Sequence, residues 1–173
     1  MTRAPFSMDL DDTPSTPPPT RTTKPAKSSR ADRGKWAEAQ VGKALHAWAE
    51  GHADREYNRL PDTKSARMII KAAPADFDYH CPAASGLVEV KETRHRFRLG
   101  RDKVPQLARL LKRQRCGGKC GVLVYHGEVK VWRAVPATWL GDRPDVPSWD
   151  LSELRVHPTV ESALKALVSE AFA

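Results

Sequence analysis

A short apolar run at residues 86–91, broken only by one acid and one lysine, most constrains how this chain can fold. The run is rich in β-branched valine and has the length of a strand, so it predicts a β-strand. Successive side chains of a strand point to opposite faces, which puts Glu89 and Lys91 on one face and Val88 and Val90 on the other. The sequence therefore predicts a sheet in which an acid and a lysine share a face.

A second acid, Asp76, precedes this strand within hairpin distance. Residues 83–86 are small and flexible, and they suit a turn from an earlier strand that carries Asp76, which would bring Asp76 beside Glu89. Two carboxylates are enough protein anchorage for Mg2+, and a nearby lysine orients or deprotonates a water, or stabilises a charged transition state. This set suits hydrolysis of a phosphodiester. The alternative is a surface ion pair between Glu89 and Lys91 that contributes little.

The remaining elements follow from hydrophobic periodicity. We expect helices at 35–50, 104–111 and 159–172, and further strands at 57–60, 66–72, 121–125 and 128–132. Asp32 is the expected N-cap of the first helix, and His126 and Gly127 form the expected tight turn of the last hairpin. The Pro-rich stretch at 136–149 is expected to be loop. These elements predict an α/β fold with a central mixed β-sheet flanked by helices.

The N-terminal segment differs in composition from the rest. Six of the 14 prolines fall within residues 1–30, among threonine, serine and lysine and with few large apolar side chains. Such a composition does not offset the entropy of ordering, so we expect a flexible basic tail at 1–30 and one folded domain at 31–173. The basic residues of the tail suit contact with phosphates, or they serve only for solubility.

Positive charge is concentrated just after the proposed active strand. The chain has 29 Lys and Arg against 21 Asp and Glu, a formal charge of +8. Arginine at every second position beside Lys91 favours a track for the DNA phosphate backbone, and binding on it should weaken steeply with salt. Chance solvation of a helix is the alternative for Arg109, Lys112 and Arg113, which follow this segment, but it does not easily explain the alternating arginines. The candidate DNA-binding residues are Arg94, Arg96, Arg98, Arg101, Lys103, Arg33, Lys64 and Arg67.

Three cysteines do not indicate a disulfide framework. Cys116 and Cys120, with His80 and Cys81, have a spacing that could hold zinc, but the two glycines between Cys116 and Cys120 are already explained as a helix stop and turn. No apolar run reaches the length of a membrane span and no secretory signal core is visible. We expect a cytoplasmic protein that does not bind membranes.

Several of these residues resemble a known nuclease superfamily. Pro74-Ala75-Asp76 followed by Glu89-Val90-Lys91 resembles the PD-(D/E)xK signature of restriction-endonuclease-like proteins. Over residues 33–125 the chain is similar, more specifically, to RecU-type Holliday-junction resolvases. The further matches, in order, are Arg33-Gly34, Glu38, Arg59-Leu60-Pro61, Glu92-Thr93, Phe97-Arg98-Leu99, Gln106 and Gly117-Gly118.

The resemblance implies a restriction-endonuclease-like core and a set of site residues. Asp76 and Glu89 would bind the metal, with the Val90 carbonyl as a further ligand, and Lys91 would be the catalytic lysine. Glu38 matches an acid that helps to hold the metal or its waters, and Gln106 matches a glutamine close to the active centre. The implied cofactor is Mg2+, with Mn2+ able to substitute.

The implied activity is metal-dependent cleavage of branched DNA, with Holliday-junction resolution in recombination and repair as the leading substrate class. Two opposed nicks need two symmetry-related active sites, so a homodimer is implied. One departure matters: the segment between Pro61 and Asp76, which in RecU-type proteins includes a stalk that enters the junction, is short here. The alternatives are a nuclease of the same superfamily acting on flaps, ends or duplex, and a non-catalytic DNA-binding protein on this fold.

Overall fold

The run at 86–91 lies within the longest strand of the protein, in the middle of a five-stranded sheet. The computed structural model describes residues 30–61 and 73–168. In chain order the elements are α1 Arg30–Ala49, β1 Glu56–Arg59, β2 Phe77–Cys81, β3 Ala84–Thr93, β4 Arg98–Gly100, a 3-10 helix Arg101–Lys103, α2 Leu107–Arg115, β5 Gly121–His126, β6 Val131–Pro136, α3 Ala137–Gly141, β7 Ser148–Asp150 and α4 Val160–Leu167.

The large sheet has the strand order β1-β2-β3-β5-β6 and is mixed. β3 and β5 run parallel, whereas the pairs β1–β2, β2–β3 and β5–β6 are antiparallel. The chain from β3 to β5 crosses over through α2, as parallel neighbours require. β4 and β7 form a separate two-stranded sheet. The predicted architecture, a central mixed sheet flanked by helices, is confirmed.

Two hydrophobic clusters cover the two faces of the large sheet. On one face α1 and α4 pack against Val88 and Val90 of β3. On the other face α2, α3 and the small sheet pack against Leu87 of β3 and Val122 and Val124 of β5. Because β3 is covered on both faces, its middle is buried whichever way a side chain points, as is usual for a parallel strand.

The helix boundaries differ from those predicted. α1 begins at Arg30, so Asp32 lies inside its first turn and is not the N-cap. The charge of Asp32 still interacts favourably with the dipole at the N-terminus of the helix. α2 begins only at Leu107, which leaves Gln106 at the N-cap position. Val104 ends the preceding 3-10 helix in a non-helical conformation, because a residue before proline is disfavoured in the α region.

The hairpins also differ in detail. In the β2–β3 hairpin Cys81 pairs with Ala84, so the turn lies at 82–83 and the stretch predicted as a turn begins β3. In the β5–β6 hairpin His126 pairs with Val131, and the turn occupies four residues, 127–130. The prediction of a tight turn at His126 and Gly127 was therefore wrong: residues 128–131 alternate between polar and apolar as a strand would, but the first three of them belong to the turn.

The region 136–149, predicted as loop, contains α3 and the start of β7. Thr159 caps α4 by accepting a hydrogen bond from the Ser162 amide. The predicted strand at 66–72, the end of the last helix beyond residue 168, and the tail at 1–30 apart from its last residue lie outside the described residues. Within the described ranges, no helix is long and apolar enough to cross a membrane.

Candidate active site

Asp76 lies at a bend directly before β2, one residue short of the strand predicted to carry it. Its Oδ2 accepts a hydrogen bond of 2.7 Å from the backbone amide of Val90. The antiparallel register, in which Phe77 pairs with Val88, places this carboxylate beside the middle of β3. The hairpin thus brings Asp76 to the residue between Glu89 and Lys91, as the sequence predicted.

Glu89 is the central acid of this site and is fully buried. The Lys91 ammonium contacts its Oε1, whereas its buried Oε2 has no hydrogen-bond partner in the part of the chain that the structure describes. Burial raises the pKa of Glu89 from 4.5 to about 7, with a smaller contribution from the nearby charge of Asp76, while Lys91 acts in the opposite direction. Glu89 and Lys91 are therefore not the exposed surface pair of the alternative reading.

Glu38 reaches the same region from α1. Its Oε2 accepts a hydrogen bond of 2.7 Å from Arg59 at the end of β1. Burial and the charge of Asp76 raise the pKa of Glu38, and Arg59 opposes this rise. Glu38 also raises the pKa of Glu89. Glu38, Asp76 and Glu89 thus act on one another electrostatically. Arg59 pairs with Glu38, and Lys91 pairs with Glu89.

Gln106 lies at the start of α2, and its Oε1 is buried without a hydrogen-bond partner among the described residues. Three residues further along the helix, Arg109 donates a hydrogen bond of 3.1 Å to the carbonyl of Ala73, which precedes Asp76 by three residues. The first turn of α2 is therefore attached to the segment that leads into the site. Gln106 is therefore partly buried at the start of α2.

Within residues 30–61 and 73–168, no three His, Cys, Asp or Glu side chains lie close enough together to form a metal-binding site on their own. This includes Cys116, Cys120, His80 and Cys81, so the zinc alternative has no support, and Gly117 adopts the φ of +87° expected of a helix stop. Mg2+, however, needs only one or two protein carboxylates because it keeps several waters. Asp76 and Glu89 meet that smaller requirement.

The proposed DNA-binding residues fall into three groups. Arg94, Arg96, Arg98 and Arg101 are exposed and form no ion pair with an acid in the described part of the chain. Arg33 is paired with Glu92 at 3.0 Å, and Lys103 with Asp102 at 3.2 Å. Lys64 and Arg67 lie outside the described residues. A groove of about 460 Å³, lined among others by Arg94 and Lys103, opens at the end of β3 just beyond Lys91.

Sequence reasoning missed two buried polar residues on the β5–β6 hairpin, His126 and Arg133. His126 was expected in the turn of the hairpin and Arg133 lies just beyond the expected strand at 128–132, so neither was predicted to be buried. It also gave no role to Arg59, whose contact with Glu38 joins two elements that are 21 residues apart in the chain.

No family model and no curated protein matches this chain. Among solved structures, the chain is similar to Hjc from Archaeoglobus fulgidus, a Holliday junction resolvase from an archaeal hyperthermophile. The two are 17% identical with a TM-score of 0.45, and the match covers 78% of this chain and 98% of that one. The assignment of the site therefore depends on the geometry described above.

Proposed function

We propose that the protein is a metal-dependent DNA endonuclease with a restriction-endonuclease-like core, and that it cleaves branched DNA, with Holliday junctions as the leading substrate. The observation that carries the proposal is the buried carboxylate of Glu89, which has Lys91 on one oxygen and no partner among the described residues on the other, while Asp76 is held on the adjacent backbone amide. A buried polar atom without a partner is costly, and such atoms are concentrated at functional sites.

The residues at this site fit a hard divalent cation. The donors are all oxygens, and the unpartnered Oε2 of Glu89 is an anionic ligand already removed from water. Asp76, Glu89 and the Val90 carbonyl would hold Mg2+, or Mn2+ in its place, and Glu38 would hold the metal or its waters. The ion supplies a nucleophilic water near neutral pH and neutralises charge on the phosphate.

The chain itself supplies position and charge. Lys91 carries its ammonium at the edge of the buried Glu89 carboxylate, where it can orient the attacking water or stabilise the charged transition state. The hydrogen bond from Val90 fixes the Asp76 carboxylate relative to β3, so the two acids keep one spacing. Gln106, at the start of α2, is proposed to lie close to the reacting centre.

The exposed arginines beyond β3 support DNA as the substrate. Arg94, Arg96, Arg98 and Arg101 are exposed and form no ion pair with an acid of the described residues, and Arg94 lines the groove beyond Lys91. Backbone contacts of this kind read the shape of DNA and carry no base sequence. A homodimer would place two such sites on the opposed strands of a junction.

The test is cleavage of a four-way junction, linear duplex and single-stranded DNA by the purified protein, each with Mg2+ or with chelator. We expect paired, symmetric nicks in the junction that need the metal. Equal cutting of plain duplex would assign the protein to another DNA substrate, and binding without any metal-dependent cut would make it a non-catalytic DNA-binding protein.

Variants of two lysines sharpen this test. Lys91→Ala should lower the cleavage rate by at least about 100-fold, because general acid–base or electrostatic assistance contributes on this scale, while DNA binding is retained. Lys165→Ala removes an exposed lysine of α4 and is the matched control for charge. If the two variants cut DNA equally well, the proposed role of Lys91 is wrong.

A further inference from the structure

Two buried basic side chains lie outside the acidic site, on the face of the sheet opposite α1. Arg133 of β6 is 1% exposed and His126 of β5 is fully buried. Arg133 pairs in register with Val124, which pairs in turn with Lys91, so Arg133 lies in the same cross-strand row as the catalytic lysine. In the part of the chain that the structure describes, neither side chain forms a hydrogen bond with Glu38, Glu89 or Lys91.

Both side chains instead hold the exposed segment that follows β3, residues 94–98, here called the arginine segment. The Nδ1 atom of His126 lies 2.9 Å from the carbonyl oxygen of His95. The guanidinium of Arg133 lies over the ring of Phe97, 5.1 Å from its centroid, and that of Arg96 lies 5.0 Å from the same centroid. The ring of Phe97 thus joins a buried arginine to an exposed one.

The backbone of the segment is fixed at two further points. The carbonyl of Phe97 accepts a hydrogen bond of 2.7 Å from the amide of Leu151, just after β7. The hydroxyl of Thr93 accepts from the amide of His95 at 3.1 Å and donates to the carbonyl of Arg98 at 3.3 Å. All five residues are nevertheless exposed, and so the segment is held in place without being covered.

Burying Arg133 does not serve stability alone. Its Nη1 has no hydrogen-bond partner among the described residues, its Nε donates only a long bond of 3.4 Å to the Leu154 carbonyl, and no carboxylate of the described chain lies within ion-pair distance. A buried charge without a close partner is costly, and apolar residues of similar volume often replace such groups without loss. Burial also lowers the pKa of His126, which leaves a neutral ring whose Nδ1 hydrogen is donated to His95.

We propose that His126 and Arg133 are positioning residues for DNA binding: they hold the arginine segment in one conformation, so that Arg94, Arg96 and Arg98 meet successive phosphates without first having to be ordered. The inference rests on the proposed function, in which DNA is the substrate. A segment that is already fixed avoids the conformational entropy that a free chain loses on binding.

The first experiment replaces Arg133 by methionine, which fills a similar volume without charge. Arg155→Met is the matched control, since it removes an equal charge from an exposed position. Arg133→Met should weaken junction binding by about tenfold and raise KM with little change in kcat, whereas Arg155→Met should change binding by no more than about twofold. Equal effects of the two variants on binding would overturn the inference.

The second experiment needs no DNA. Trypsin cuts after arginine, so the rate of cleavage after Arg94, Arg96 and Arg98, followed by mass spectrometry, reports whether the segment is held. Arg133→Met should raise this rate by about tenfold relative to the Arg155→Met control, because local opening exposes the backbone to protease. An unchanged rate would overturn the inference. Faster cleavage in a protein that neither binds nor cuts DNA would show that the segment is held but that the proposed function is wrong.

Replacements at two further positions keep the test decisive if Arg133→Met does not fold, as judged by circular dichroism. Phe97→Leu removes the ring between the two guanidiniums from the exposed side and should also speed cleavage of the segment. His126→Leu removes the donor to His95, whereas His126→Gln retains an amide donor and should restore slow cleavage. If leucine and glutamine at position 126 behave alike, the hydrogen bond to His95 has no positioning role.

Discussion

Replacing Glu89 by glutamine in the metal-free protein should stabilise the fold at alkaline pH. Glu89 is fully buried, and burial raises its pKa from 4.5 to about 7, with the charge of Asp76 adding to the rise and Lys91 opposing it. At about 1.4 kcal/mol per pH unit, this rise means that keeping Glu89 ionised in the folded state costs about 3 kcal/mol relative to the unfolded chain. Glutamine has nearly the same shape and no charge.

The sign of the pH dependence follows from the direction of the shift. Because the pKa of Glu89 is higher in the folded state than in the unfolded chain, the protonated carboxyl favours folding fully below pH 4.5, and this contribution is lost as the pH rises through about 7. The glutamine variant has no such loss. It should therefore match the wild type near pH 4.5 and exceed it at pH 8 by up to about 3 kcal/mol, or about 10 °C in Tm.

The assay is urea unfolding in the presence of chelator at pH 5 and pH 8, followed by the fluorescence of the buried tryptophans Trp48, Trp132 and Trp149. Glu128→Gln is the control, because Glu128 is exposed in the β5–β6 turn and its replacement should change the free energy of unfolding by less than about 0.5 kcal/mol. If Glu89→Gln is less stable than the wild type at pH 8, or if the difference does not change with pH, the charge of Glu89 is not penalised by the fold.

Three further changes test separate parts of the structure by the same urea assay. Lys91→Met leaves the buried Glu89 carboxylate without its cation. The free energy of unfolding should fall by about 1–3 kcal/mol at pH 8 but by less at pH 5, because Glu89 is protonated there. A loss that does not depend on pH would contradict this. A Cβ at Gly86 would overlap the backbone carbonyl of Lys119, so Gly86→Ala should lower the free energy of unfolding by about 2–4 kcal/mol. A Cβ at Gly34 on α1 would meet open space, so Gly34→Ala should raise it by about 0.5–1 kcal/mol. Thr159→Ala removes the cap of α4 and should cost about 0.5–2 kcal/mol, and restoration of stability by serine would confirm the capping role.

The sequence was sufficient to predict the centre of the sheet and the shared face of Glu89 and Lys91. Side-chain alternation along a strand is fixed by backbone geometry, and the valines at 88 and 90 left no competing pattern. The hairpin that brings Asp76 to β3 was predictable for the same reason: a short flexible segment between two strands allows few connections. What could not be predicted was that Asp76 hydrogen-bonds the Val90 amide, because that contact depends on register.

Features that depend on distant packing were not predictable. β6 begins three residues later than predicted, at Val131 and not at Glu128, because the alternation at 128–131 does not distinguish turn from strand; Trp132 and Ala134 of β6 then pack on the face covered by α1 and α4. α3 and β7 lie in a proline-rich stretch whose local composition indicates loop, and they are ordered by contact with α2 and β4. The buried Arg133 is the clearest case, because it contacts Phe97 and the Leu154 carbonyl, which are distant in the chain and leave no mark in the local sequence.

The polar residues on the face of the sheet opposite α1 lower the stability of the fold and are explained by the proposed activity. Along β3, the face towards α1 bears Val88 and Val90 and supplies packing, whereas the opposite face bears the buried Glu89 and the half-buried Lys91 beside Leu87. Across the sheet, the row from Lys91 through Val124 ends at Arg133, another buried charge. A core selected for stability alone would place apolar side chains at all three polar positions. Their concentration on one face, next to the exposed arginines, is the physical basis of the proposal that catalysis and DNA contact belong to that side of the sheet.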